Sequence, residues 1–134
     1  MKGFDITGQK FIVTGAAKGI GLAISRRLSE LGAEVSGWDL EKDVMASEPV
    51  FDHTVKVDVT DEISVMSAAE KTIQKLGGLH GLIANAGING PTKPSWEYTL
   101  EEWEQVMKVD LTGVFLTTRA VLRHLIREGY GRLI

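Results

Sequence analysis

The chain has 134 residues, 18 acidic against 15 basic side chains, a net charge of −3 and no cysteine. That length supports one domain with a real core. The charge balance argues against a nucleic-acid partner, and the lack of cysteine excludes a disulfide framework or a thiolate metal site within these residues. His53, His80 and His124 have no ligand-like spacing and read as surface or boundary residues, so no metal is expected. The segment from Met1 to Lys10 lacks the apolar core of a signal sequence, and no run approaches a membrane span. A cytoplasmic protein without a membrane partner is the expectation.

The first predicted strand runs from Lys10 to Thr14, and a helix follows from Gly19 to Leu31 with Gly32 as its C-terminal cap. Between them lies Thr14-Gly15-Ala16-Ala17-Lys18-Gly19-Ile20-Gly21. A strand, a glycine turn and a helix start make a phosphate site, because the first turn of a helix has unpaired N–H groups and a partial positive charge. Glycines let the chain turn sharply and let a ligand approach the backbone. A second strand is expected over Glu34–Trp38, then a polar stretch from Asp39 to Glu48, and a third strand over Thr54–Val57. A helix starts near Asp61 with Thr60 as its N-cap and ends at Gly77-Gly78. The fourth strand, Gly81–Ala84, leads into a loop with Gly87, Gly90, Pro91 and Pro94. The longest helix is expected from Leu100 to Arg127 or Glu128, with Thr99 and Glu102 forming a capping box, and Gly129-Tyr130-Gly131 ends it.

This regular alternation predicts an α/β fold of Rossmann type, a doubly wound parallel sheet with helices on both faces. Arg132-Leu133-Ile134 reads as the first residues of a fifth strand. In a sheet ordered 3-2-1-4-5-6, that ending leaves strand 4 as an apolar edge. The expectation is that these residues are the N-terminal, cofactor-binding part of a larger single-domain fold.

Thr14, Gly15, Gly19 and Gly21 stand in the spacing Thr-Gly-x-x-x-Gly-x-Gly, which resembles the short-chain dehydrogenase/reductase family. Asn85-Ala86-Gly87 is similar to that family's Asn-Asn-Ala-Gly element, with Ala84 in place of the first asparagine. The helix segment Asp110-Leu111-Thr112-Gly113-Val114-Phe115 is similar to its Asn-Leu-x-Gly-Val-Phe element, with Asp110 at the catalytic asparagine's position. The resemblance implies a nicotinamide dinucleotide held by Gly15, Lys18, Gly19, Ile20, Gly21, Asp39, Leu40, Asp58, Val59, Asn85, Ala86, Gly87 and Val109. Asp39, at the end of strand 2, suits the ribose hydroxyls and repels a 2′-phosphate, so NAD is expected over NADP, although Lys18 pulls the other way. Asp58 is expected at the adenine amino group, Val59 against the ring, and Asn85 as a tie between neighbouring loops. Asp110 is acceptor-only when ionised, and its expected role is to hold a water beside a lysine.

The family's reaction transfers a hydride between the cofactor and an alcohol or carbonyl, of 3-oxoacyl or sugar and polyol type among others. It needs a serine and Tyr-x-x-x-Lys. Tyr98 and Tyr130 are followed four residues later by Glu102 and Ile134, so this segment alone is expected to be inactive. The resemblance also implies a homo-oligomer, a dimer or tetramer, through the helix 100–128, whose apolar residues occupy more than one face. The rival reading is a non-catalytic nucleotide-binding module complete at 134 residues. A methyltransferase-like fold would share the glycine turn but gives no reason for Asn85-Ala86-Gly87.

Overall fold

In the computed structural model, which describes residues 5–134, Phe11, Ile12 and Val13 of β1 (Lys10–Thr14) are all buried. A strand buried on both faces belongs at the centre of a parallel sheet. β1 lies between β2 (Glu34–Asp39) and β4 (Gly81–Ile83), with β3 (His53–Lys56) beyond β2 and β5 (Arg132–Leu133) beyond β4. Every pairing is parallel. The result is the expected Rossmann-like α/β architecture. Met1–Phe4, part of the segment read as lacking a signal core, lie outside the described residues.

The alternation of strand side chains divides the core in two. On one face Ile12, Trp38 and Leu82 meet Val65 and Ala69 of α3 (Glu62–Leu76) and Val121 and Leu125 of α5 (Gly113–Glu128). On the other, Phe11, Val13, Val35 and Ile83 meet Ile24 and Leu28 of α1 (Gly19–Glu30) and Met45 of α2 (Lys42–Ala46). Trp38 is fully buried, and its indole N–H donates to Thr72 Oγ1 at 3.0 Å. Ser36 Oγ lies 3.2 Å from the same hydroxyl and 3.1 Å from His53 Nδ1, so a polar chain runs through an otherwise apolar layer. Burial holds His53 below the usual histidine range, helped by Lys75 and Lys42. Among the described residues, no helix is long and apolar enough to cross a membrane.

Several local expectations change. The polar stretch 39–48 contains α2, one short helix pinned by buried Met45. β2 reaches Asp39, and β3 begins one residue early, at His53. α1 stops at Glu30 with Leu31 as its cap residue, and Gly32 stands one place further on with φ +82°. Asp61, not Thr60, caps α3: its carboxylate accepts from the N–H groups of Ile63 and Ser64 at 2.9 and 3.0 Å. The long helix begins with the expected capping box at Thr99 and Glu102. It then divides into α4 (Leu100–Met107), a π-helical turn (Lys108–Thr112) and α5. β4 is not an edge, because β5 pairs with it and Ile134 continues the ladder to Leu82 and Ala84.

Candidate functional site

A cavity of about 520 Å3 opens where the C-terminal ends of β1, β2 and β4 meet the residues after β3. Parallel strands place their following loops on one edge, and the crevice forms where successive connections leave β1 in opposite directions. Of the residues singled out from sequence, Gly15, Lys18, Ile20, Asp39, Leu40, Asp58, Val59, Asn85, Ala86, Gly87 and Val109 all line it. Gly19 and Gly21 do not line it themselves; they flank Ile20 at the start of α1, on the turn that borders it. Trp38, Glu41, Val57 and Ile88 line it too and were not foreseen. Val57 and Trp38 were placed only at the ends of predicted strands, and nothing in the sequence separated Glu41 from its polar neighbours.

The turn after β1 is held from three sides. Gly15 has φ +64°, and a Cβ there would stand 2.9 Å from the Ala86 Cα. A Cβ on Gly21 would stand 2.1 Å from the Gly15 carbonyl oxygen, so α1 can only approach the turn this closely with glycine there. Asn85 Nδ2 donates to the Thr14 and Gly15 carbonyls at 3.0 and 3.2 Å, and the Ala86 N–H donates to Thr14 Oγ1 at 3.0 Å. Asn85 thus ties the loop after β4 to the glycine turn.

The start of α1 is open. Its N-cap, Lys18, makes no side-chain cap bond, and its first turn carries no acidic residue. The first bond back to the turn is Leu22 N–H to the Lys18 carbonyl, which leaves the N–H groups of Gly19, Ile20 and Gly21 without partners among the described residues. Uncapped donors at a positive helix end suit a phosphate, and the empty space around a Cβ at Gly19 leaves the backbone accessible. The residues present therefore fit phosphate groups, and Val57, Val59, Ile88 and Val109 make part of the cavity wall apolar.

Asp39 is oriented by backbone: Oδ2 accepts from Ala17 N–H and Oδ1 from Glu41 N–H, each at 3.0 Å. Lys18 does not reach across the cavity unpaired. Its ammonium lies 2.9 Å from Glu41, whose hydrogen bond and charge raise the lysine pKa, with a lesser contribution from Asp39. Asp58 Oδ1 accepts from Thr60 Oγ1 at 2.7 Å and Thr60 N–H at 2.9 Å, which holds its carboxyl below the usual range. Asp110 sits in the π-helical turn and accepts the Ile88 N–H at 2.9 Å, bracing the helix against the loop after β4.

The description "short chain dehydrogenase" belongs to the family model that matches residues 9–134. The chain is 36% identical over 130 residues to the 2-dehydro-3-deoxy-L-rhamnonate dehydrogenase (NAD(+)) of Sphingomonas sp. strain SKA58, covering 95% of this chain and 52% of that protein. It is 40% identical over 129 residues to the cis-4-hydroxycyclohexanecarboxylate dehydrogenase of Sinomonas cyclohexanicum, covering 92% of this chain and 52% of the other. Among solved structures, the 3-ketoacyl-(acyl-carrier-protein) reductase from Brucella melitensis complexed with NADH superimposes with a TM-score of 0.88 at 28% identity, covering 92% of this chain and 52% of that one. The chain spans about half the length of the curated relatives it matches.

Proposed function

The chain belongs to the short-chain dehydrogenase/reductase family, and on that premise we propose that it is the NAD-binding part of an oxidoreductase acting on an alcohol or carbonyl substrate. The observation that carries this reading is the uncapped start of α1 beside the backbone-oriented Asp39 carboxylate. The amides of Gly19, Ile20 and Gly21 would take a pyrophosphate, Asp39 the ribose hydroxyls, and Asp58 and Val59 the adenine edge and face. A bound nicotinamide supplies the hydride acceptor or donor. Asn85 and Asp110 keep the loop after β4 in place, and Gly87 keeps side-chain bulk away from the backbone there. We read Asp110 as a positioning residue, since its carboxylate is engaged by the Ile88 N–H.

Neither tyrosine is placed to move a proton at this cavity. The Tyr98 hydroxyl donates to the Pro91 carbonyl, and the Tyr130 hydroxyl donates to Gln9 near the start of β1. These 134 residues are therefore expected to bind cofactor without turnover. Exposed Leu100, Trp103, Leu111, Phe115 and Ile126 along α4, the π-helical turn and α5 support assembly through this face into a homo-oligomer. The test is calorimetric titration with NAD+ and NADP+: saturable binding with NAD+ tighter supports the proposal, and no binding of either refutes it.

A further inference from the structure

Among the described residues, Lys18 is the one cation that lines the cavity at the C-terminal ends of the strands; Asp39, Glu41 and Asp58 are its charged companions there. A lysine on a phosphate-binding turn is a ready partner for one further phosphate group. Here it is already engaged. Its ammonium lies 2.9 Å from the Glu41 carboxylate. Glu41 stands just before α2, and its side chain makes no cap bond to that helix. Among the described residues its carboxylate bonds to Lys18 alone.

Backbone bonds fix the place where the two side chains meet. The Ala17 N–H donates to Asp39 Oδ2 and the Glu41 N–H to Asp39 Oδ1, each at 3.0 Å. Asp39 therefore ties the glycine turn to the segment that follows β2. Lys18 comes one residue after the first donor, and Glu41 is the second. Their ion pair closes with side chains the same junction that Asp39 closes through the backbone. In sequence, Lys18 and Asp39 are opposing signals for NADP and NAD, and the pair with Glu41 removes that conflict.

Resting on the dinucleotide reading of this cavity, we propose that Glu41 determines cofactor specificity: it holds Lys18 in an ion pair and so withholds it from the 2′-phosphate that distinguishes NADP from NAD. Asp39 repels that phosphate directly. Glu41 acts through Lys18 and is a positioning residue.

The exposure of the pair limits the size of the effect. The Lys18 and Glu41 side chains are 79% and 48% exposed, so solvent screens them. Releasing such a pair is worth a factor of up to about five in affinity. Removing the Glu41 charge also relieves its own screened repulsion of the phosphate, a factor of about two.

The experiment is calorimetric titration of the full chain with NAD+ and NADP+ at fixed ionic strength, in wild type, Glu41→Ala, Lys18→Met and the double variant. Glu41→Ala keeps the backbone N–H that Asp39 Oδ1 accepts. It is expected to raise NADP+ affinity relative to NAD+ about three- to tenfold. Lys18→Met alone is expected to move that ratio less than about twofold, because the lysine is already paired. In the Lys18→Met background the gain from Glu41→Ala is expected to shrink to about twofold, and this non-additivity is a readout that a merely structural role for Glu41 would not produce. A ratio unmoved by Glu41→Ala while NAD+ still binds overturns the proposal. So does an equal gain without Lys18, or a large loss of NADP+ affinity in Lys18→Met alone. Failure of wild type to bind either dinucleotide overturns the underlying reading instead, and this proposal with it.

Discussion

Asp39→Asn keeps the shape of the side chain and removes one negative charge from the rim of the cavity at the C-terminal ends of the strands. In the wild type, Asp39, Glu41 and Lys18 sum to one negative charge there, because Glu41 neutralises Lys18 at 2.9 Å. A 2′-phosphate about 4 Å from the carboxylate would meet about 1 kcal/mol of repulsion per charge pair in water and about 4 kcal/mol at an effective dielectric constant near 20. Asp39 is half-buried and its neighbours Lys18, Ile20 and Leu40 are exposed, so the lower part of that range applies. A gain of about 1–2 kcal/mol corresponds to a fall of about five- to thirtyfold in the NADP+ dissociation constant relative to that of NAD+. The substitution has a structural cost, since an amide can accept from only one of the two N–H groups that Asp39 now holds. The unpaired one costs about 1 kcal/mol of stability. The quantity to read by calorimetry is thus the ratio of the two affinities, with the thermal midpoint measured alongside. Tighter NADP+ binding in the wild type, or a ratio unmoved by Asp39→Asn while NAD+ still binds, would refute the reasoning.

Gly21→Ala is expected to lower stability by about 3 kcal/mol or more, because its Cβ would meet the Gly15 carbonyl and an Asn85 amide fixed by two hydrogen bonds. Gly19→Ala meets nothing within 4 Å and bears only its positive φ of +56°, about 1–2 kcal/mol; similar losses in urea unfolding of the two variants would contradict this account. Thr72→Val leaves the buried Trp38 indole N–H unpaired and should cost about 1–3 kcal/mol, with a change in Trp38 fluorescence. Because the folded pKa of Asp58 is lowered, its contribution to stability is present above the unfolded carboxylate range and is lost as pH falls through the folded value. Stability of Asp58→Asn should consequently vary less than wild type between about pH 5 and pH 2, and parallel curves would count against the Thr60 hydrogen bonds as the cause.

Much of the architecture was legible because it depends on short-range pattern. Phe11-Ile12-Val13 followed by a glycine turn and an amphipathic run predicts a buried strand feeding a helix. The structure places both within a residue of the expectation. Thr99 and Glu102 were legible as a cap for the same reason, since each satisfies the other's backbone within one turn. α2 was hidden because a single turn has no periodicity, and Met45 packing under β2 anchors it. The π-helical turn at Lys108–Thr112 was hidden too, because one widened turn hardly alters the apolar pattern of a long helix.

Within the site, spacing was enough to mark the glycine turn and Asp39 at the end of β2, while Asp58 and Asn85 entered through the family resemblance; parallel strands deliver all of these positions to one edge. Only the tertiary structure decided what these residues hold. It paired Lys18 with Glu41 and engaged Asp110 with the Ile88 N–H. The physical reason is range. Strand, turn and helix are set by neighbours a few residues apart, while charge pairing and the state of a buried imidazole depend on groups that meet only after the sheet has formed.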